Sequence, residues 1–209
     1  MGKTAERNFS ELLRLARDFG AEEAKIITAD QIVVEDRIVL KCKYGCHMYG
    51  WKLICPPFVP TPEEFRHILK EYRHALLMKF NSAAEADDDV ARSLLKNRFS
   101  PDTPKELRER TMKFWSEWDK DKTRVLLAIL ELEKAAFNSG YTLALGLAAG
   151  SCVLCEKCNV DGPCTHPTMA RLPEHAVGVN VRKTLKNAGM ALSFPFKKRP
   201  HLVGMVLID

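Results

Sequence analysis

A chain of 209 residues, 46% hydrophobic and 28% charged, is long enough to bury one sizeable core and has the composition of an ordinary globular protein. Its 32 basic and 27 acidic residues give a formal charge of +5, and the two signs alternate along most of the chain, so we expect no nucleic-acid binding. The sequence has no signal peptide and no apolar run long enough to span a bilayer, so we expect no membrane association and a cytoplasmic, reducing location.

The first half of the chain predicts elements on both sides of a cysteine-rich loop. Gly20 ends an amphipathic pattern of leucines and charges, and Thr61 with Pro62 forms a helix start. Two β-rich runs joined by a polar turn predict a pair of strands, arranged as a hairpin. The predicted elements are helix 5–19, strands 24–28 and 32–41, a loop from residue 42, helix 61–74 and strand 75–81.

The second half begins with a polar stretch, 84–104, which we interpret as a mobile segment or a helical insertion. A long helical pattern follows and ends at Gly140. The remaining predicted elements are helix 105–138, strand 141–148, helix 180–188 and a closing strand from 201. Strands that alternate with helices predict the α/β class: a mixed sheet flanked by helices, with cysteine-rich cluster-binding loops at 42–57 and 150–167, in a single domain over residues 1–209.

The segment 150–167, "GSCVLCEKCNVDGPCTHP", contains four of the seven cysteines: Cys152, Cys155, Cys158 and Cys164. Their spacing is C-x2-C-x2-C-x5-C, and its first three members match the ferredoxin run that supplies thiolates to an iron–sulfur cluster. Structural zinc sites usually pair two separate C-x2–4-C knuckles, so a third cysteine at the same interval favours iron–sulfur over zinc. An odd number of cysteines in a reducing compartment argues against disulfides.

The other three cysteines, Cys42, Cys46 and Cys55, lie far upstream, and Pro56 and Pro57 follow the last of them. Buried free cysteines often act as small hydrophobic residues, but the Gly-, Pro- and aromatic-rich composition around these three favours ligands. A proline after a cluster cysteine stiffens the loop and removes a backbone donor.

Seven cysteines divide most simply into four and three, so one or two [4Fe-4S] clusters are expected, with zinc as the alternative. Two clusters would need eight ligands, so one coordination position lacks a thiolate. His47, His166 or water could fill it, or it could stay open for a substrate atom. An exchange in which Cys164 completes the other cluster is the main rival division.

The segments "CKYGCHMYGWKLICPP", "PTPEEFRHILKEYRHALLMKF", "GYTLALGLAAGSCVLCEKC" and "CTHPTMARLPEHAVGVNVRKTLKNAG" resemble a family of small, cysteine-rich predicted metal-binding proteins from archaea and anaerobic bacteria. The resemblance covers residues 22–209 and implies metal or iron–sulfur binding through the cysteines, with no established reaction. Thr165 stands where the family often has a basic residue. Leu172 and Pro173 shift a further family segment, so the resemblance transfers no role to Glu174.

Three functions follow from these patterns. The first is a redox module that passes electrons to a partner protein, and the second is an enzyme whose open-site cluster acts on a small molecule. The third is a zinc-stabilised interaction or regulatory module. No dinucleotide or ATP-binding motif occurs in the sequence. Whether the protein is an enzyme is left open by the sequence.

Overall fold

The structure is a computed structural model, and it describes residues 2–94, 102–193, 196 and 198–209, with only the backbone for residues 2–8. Helices and a five-stranded mixed sheet confirm the predicted α/β class. The helices are α1 (Gly2–Asp18), α2 (Asp36–Gly45), α3 (Pro62–Leu69), α4 (Asp88–Ser93), α5 (Lys105–Asn138) and α6 (Val181–Asn187). Short 3-10 turns occupy Ala29–Gln31 and Glu174–Val177.

The strands are β1 (Ala21–Thr28), β2 (His74–Asn81), β3 (Leu145–Ala148), β4 (Leu172–Pro173) and β5 (His201–Ile208). They lie in the order β1-β2-β5-β3-β4; β3 and β4 are parallel, and the other neighbours are antiparallel. The central strands β2 and β5 are buried along nearly their whole length, because helices cover both faces of the sheet.

Side chains that alternate along the central strands build two separate cores. Leu76, Met78 and Phe80 of β2 pack with α1 and α5 on one face. Ala75 and Leu77 point to the other face, where α3 and α6 contribute their apolar side chains. The sheet is therefore the middle layer of three, and the cysteine segments leave it at the ends of β1, through α2, and of β3.

Several predicted elements are confirmed with modest changes in their ends. The predicted helices 5–19, 105–138 and 180–188 correspond to α1, α5 and α6, and the closing strand to β5. The helix predicted over 61–74 is shorter, because it ends at Leu69. The strand predicted over 141–148 starts only at Leu145, since Tyr141 and Ala144 form the turn that closes α5. Of the stretch 84–104, Asp88–Ser93 is helical, and residues 95–101 lie outside the described part of the chain.

The predicted strand 32–41 and its hairpin are wrong. Residues from Asp36 onward form α2, and β1 pairs instead with β2, so the β-rich run has no neighbouring strand along its length. The one pairing of this segment is a bridge from Val34 to Val179. β-branched residues favour a strand only where a partner and a buried face are present, and here the tertiary context overrides the propensity.

Candidate metal centre

Helix α2 explains the spacing of the first two cysteines. Cys42 lies in the last turn of α2 and Cys46 is its C-cap, so the predicted loop begins four residues later than expected. Residues four apart lie on the same face of a helix, and both thiols can therefore point to one site. Cys55 follows through consecutive turns, in which its backbone N–H donates to the Lys52 carbonyl at 2.9 Å. Cys42 and Cys55 are buried, whereas Cys46 is exposed.

The three upstream cysteines line one cavity of about 180 Å³. Trp115, Trp118 and Lys122 of α5 form another part of its wall, and two histidines also line it, His47 and His175. The three-cysteine cavity therefore combines thiols, imidazoles, a buried ammonium and aromatic rings that screen it from water. This is the composition of a binding site more than of an apolar core.

All four downstream cysteines, Cys152, Cys155, Cys158 and Cys164, line a second and much smaller cavity. They belong to the irregular segment between β3 and β4, which the tight x2 spacing turns back on itself. Backbone N–H groups already point at the sulfurs: Leu53 donates to Cys158 Sγ and His166 donates to Cys164 Sγ, each at 3.4 Å. Such hydrogen bonds stabilise negative charge on sulfur, as metal-bound thiolates require.

The two cavities are lined by consecutive residues of the chain, because each cysteine segment contributes residues to both. Leu53 and Ile54 line the four-cysteine cavity, whereas the next residue, Cys55, lines the three-cysteine cavity. Gly150 and Ser151 line the three-cysteine cavity and are followed by Cys152, which lines the other. The seven cysteines therefore form two adjacent groups, of four and of three.

Lys52 is a buried cation between the two groups, with only 7% of its surface exposed. Its Nζ donates a hydrogen bond to the carbonyl oxygen of Cys155 at 3.2 Å. Its charge also acts on the thiols of Cys55 and Cys152, whose pKa values it lowers. A buried ammonium beside several cysteines favours their thiolate forms, which are the forms that bind metals.

Lys122 of α5 supplies a second buried cation, at the wall of the three-cysteine cavity. Its Nζ donates to the Ser151 carbonyl at 3.1 Å and pairs with Asp119 at 2.8 Å. Lys122 therefore connects the first residues of the downstream cysteine segment to α5.

The thiols of Cys42, Cys55 and Cys152 are protonated at neutral pH in the metal-free protein, despite the nearby charge of Lys52. Burial is the largest cause that raises the pKa of Cys55, to about 12, and neighbouring Cys46, Cys42 and Cys152 raise it further. Burial also raises the pKa of Cys42 and of Cys152. Because metal ligation needs thiolates, binding at these sites would release protons and would be stronger at higher pH.

The histidines near the cysteines line different cavities. His166, a predicted candidate ligand, lines the four-cysteine cavity, with its Nδ1 3.0 Å from the Thr165 hydroxyl. His47, the other predicted candidate, lines the three-cysteine cavity and is exposed. The sequence analysis missed His175, because nothing in the local pattern links the turn after β4 to cysteines 120 to 133 residues upstream.

The residues present fit a metal or iron–sulfur group by their chemistry: free thiols in two groups, backbone donors aimed at sulfur, and nearby cations. Within residues 2–94, 102–193, 196 and 198–209, no three His, Cys, Asp or Glu side chains meet in an arrangement that would hold a single metal ion. In a cluster the thiolates bind different iron atoms, and zinc would need four donors around one ion. Iron–sulfur clusters and zinc would both be bound by the same seven cysteines.

In the described part of the chain, none of the helices combines the length and the apolar character that crossing a bilayer requires.

Residues 25–208 match the family described as "Predicted metal-binding protein (DUF2284)". No curated protein and no solved structure matches the chain.

Proposed function

The chain belongs to this family of predicted metal-binding proteins, and on that premise we propose that it is an iron–sulfur protein with two adjacent [4Fe-4S] sites used in redox chemistry. Cys152, Cys155, Cys158 and Cys164 would hold one cluster, and Cys42, Cys46 and Cys55 would hold the other. The observation that carries the proposal is the grouping of the seven cysteines around two cavities that neighbouring residues of the same two segments line.

Iron–sulfur clusters transfer single electrons, and their potentials depend on hydrogen bonds to sulfur, net charge and exposure to solvent. The chain supplies each of these factors. Leu53 donates an N–H to Cys158 Sγ, Lys52 places a positive charge between the sites, and Trp115 and Trp118 screen the three-cysteine cavity from water. Adjacent sites favour electron exchange between them, and a redox partner protein would complete the path.

The site with only three thiols could instead bind a small substrate at an open iron, and this open-site enzyme is the second form of the same proposal. The cavity of about 180 Å³ beside Cys42, Cys46 and Cys55 favours it, because this space can take a ligand of a few atoms beside the cysteines. A zinc-stabilised module is the remaining candidate. The free thiols of all seven cysteines fit a reducing compartment such as the cytoplasm.

An anaerobic preparation with iron, acid-labile sulfide and zinc counted per chain tests the proposal. We expect about eight irons and about eight sulfides per chain, the content of two cubane clusters. Cys155→Ser should remove one cluster and leave the other, and Cys42→Ser should do the reverse. Each variant is thus the control for the other. Zinc without sulfide would exclude iron–sulfur chemistry, and loss of all iron in both variants would show a single shared site.

A further inference from the structure

Three thiols line a cavity in which a cubane cluster has four coordination positions, so a fourth protein ligand would come from another part of the wall. Among the described residues that line this cavity, only His47 and His175 carry a side chain commonly found as a nitrogen ligand of iron. We infer that His175 is the fourth protein ligand of the three-cysteine site. This inference rests on the proposed iron–sulfur function.

The fold holds His175 in a fixed position relative to α2. His175 lies in the 3-10 turn Glu174–Val177, which packs against α2, the helix that carries Cys42 and Cys46. Two backbone hydrogen bonds join the ends of these elements: Glu35 N–H to Gly178 O at 2.8 Å, and Asn180 N–H to Val33 O at 2.7 Å. The imidazole and the thiols are thus brought to one cavity by rigid elements and not by a loose loop.

Burial and two nearby positive charges favour the form of His175 that can bind a metal. Burial lowers the pKa of His175, and the charges of Lys122 and Lys41 lower it further, so the imidazole is neutral at physiological pH. A neutral imidazole has a free lone pair for a metal, whereas a protonated one has none. The same two lysines would offset the negative charge of an iron–sulfur cluster.

His47 is less well placed, although it lines the same cavity. It follows Cys46 directly, beyond the end of α2, and is exposed, so fixing it would cost more conformational entropy than fixing the half-buried His175. His166 lines the other cavity, where four thiols are already present. His47 and His166 therefore serve as matched controls for His175.

Pulsed EPR of the dithionite-reduced protein, grown with 15N-histidine and with natural histidine, tests the inference. We expect one strong nitrogen coupling in the wild type, His47→Ala and His166→Ala proteins, and its loss in His175→Ala. His175→Cys should keep the wild-type iron and sulfide content, lose the nitrogen coupling and lower the midpoint potential of one cluster, because imidazole in place of thiolate raises cluster potentials.

Nitrogen coupling that persists in His175→Cys would overturn the inference, as would intact clusters in the wild type without any strong nitrogen coupling. If His175→Ala does not fold, the His175→Cys protein and the two control variants decide. Absence of iron and sulfide in the wild type would instead overturn the proposed function. The two failures are thus distinguishable.

Discussion

The ammonium of Lys52 lies 3.2 Å from the carbonyl oxygen of Cys155, so a buried cation of the upstream cysteine segment is anchored on the downstream segment. This contact crosses 103 residues of sequence, and the Lys52 charge acts on the thiol of Cys55 in one group and of Cys152 in the other. The Lys52 charge is therefore shared by both cysteine groups, and one residue should influence both sites.

Replacing Lys52 with methionine should lower the midpoint potentials of both clusters. A partly buried unit charge is worth about 1–2 kcal/mol at the effective dielectric of protein interiors, which corresponds to on the order of 50 mV for one electron. A redox titration followed by EPR measures the change. Lys157→Met, which removes an exposed lysine from the downstream cysteine segment, is the matched control and should shift neither potential by more than about 10 mV. Equal shifts in both variants would contradict a special role for Lys52.

Glu133 of α5 should stabilise the chain segment that follows the downstream cysteines. Its carboxylate accepts two hydrogen bonds from Arg171, at 2.8 and 2.6 Å, and one from the Gly146 N–H at 2.6 Å. Glu133→Ala leaves the Arg171 guanidinium without its bidentate partner in a mostly buried position, so the free energy of unfolding should fall by about 2–4 kcal/mol.

Urea denaturation of the metal-free protein measures this loss. Glu131→Ala is the matched control on the same helix, because Glu131 forms an exposed pair with Lys134 at 3.7 Å. Its removal should change the free energy of unfolding by less than about 0.5 kcal/mol. A similar loss in both variants would mean that helix propensity, and not the Arg171 contact, sets the effect.

Gly146→Ala should destabilise the protein through overpacking between β3 and α5. An added Cβ would lie 2.4 Å from Ile129 Cγ2 and 2.8 Å from Glu133 Oε2, so these two side chains, or the strand and helix themselves, would have to shift. Overpacking of this kind costs about 1–3 kcal/mol. Gly45→Ala is the control: nothing lies within 4 Å of its added Cβ, and alanine favours the last turn of α2. Thermal melts should show a lower midpoint for Gly146→Ala alone.

Asp121 should make stability depend on acid pH. Burial raises the pKa of its carboxyl, but hydrogen bonds from the Ser82 hydroxyl, the Ala83 N–H and Arg124 outweigh burial and lower the pKa below its ordinary value of 3.8. The folded protein therefore holds the ionised form more strongly than the unfolded chain does. This stabilisation is fully present above about pH 4 and is lost as the pH falls through the folded-state pKa.

Urea denaturation at a series of acid pH values should show this loss. Asp121→Asn should remove that part of the pH dependence and cost about 1–3 kcal/mol at neutral pH. Asp18→Asn, at an exposed ion pair with Arg14, should leave both unchanged. A wild-type slope that Asp121→Asn does not alter would place the acid sensitivity elsewhere.

Local patterns in the sequence predicted much of the fold. Thr61 accepts a hydrogen bond from the Glu64 N–H at 3.3 Å, as expected for the start of α3, and the 34-residue α5 occupies the predicted range 105–138. The prediction of strand 32–41 was wrong, because β-branched residues such as Val33 and Val34 give a strand-like pattern whether or not a neighbouring strand is available. The sequence gives no sign of which strand lies next to β1.

By itself, the sequence determined the tight spacing of Cys152, Cys155 and Cys158, because C-x2-C-x2-C depends only on nearby backbone geometry. The helical spacing of Cys42 and Cys46 came from the structure, since the sequence predicted a loop there. Only the tertiary structure decided that the two segments are neighbours, that Lys52 lies between them and that His175 joins the upstream cysteines. These relationships depend on the strand order β1-β2-β5-β3-β4 and on the packing of α2 against the turn after β4. Such long-range contacts arise from burying the whole chain, and no short stretch of sequence contains them.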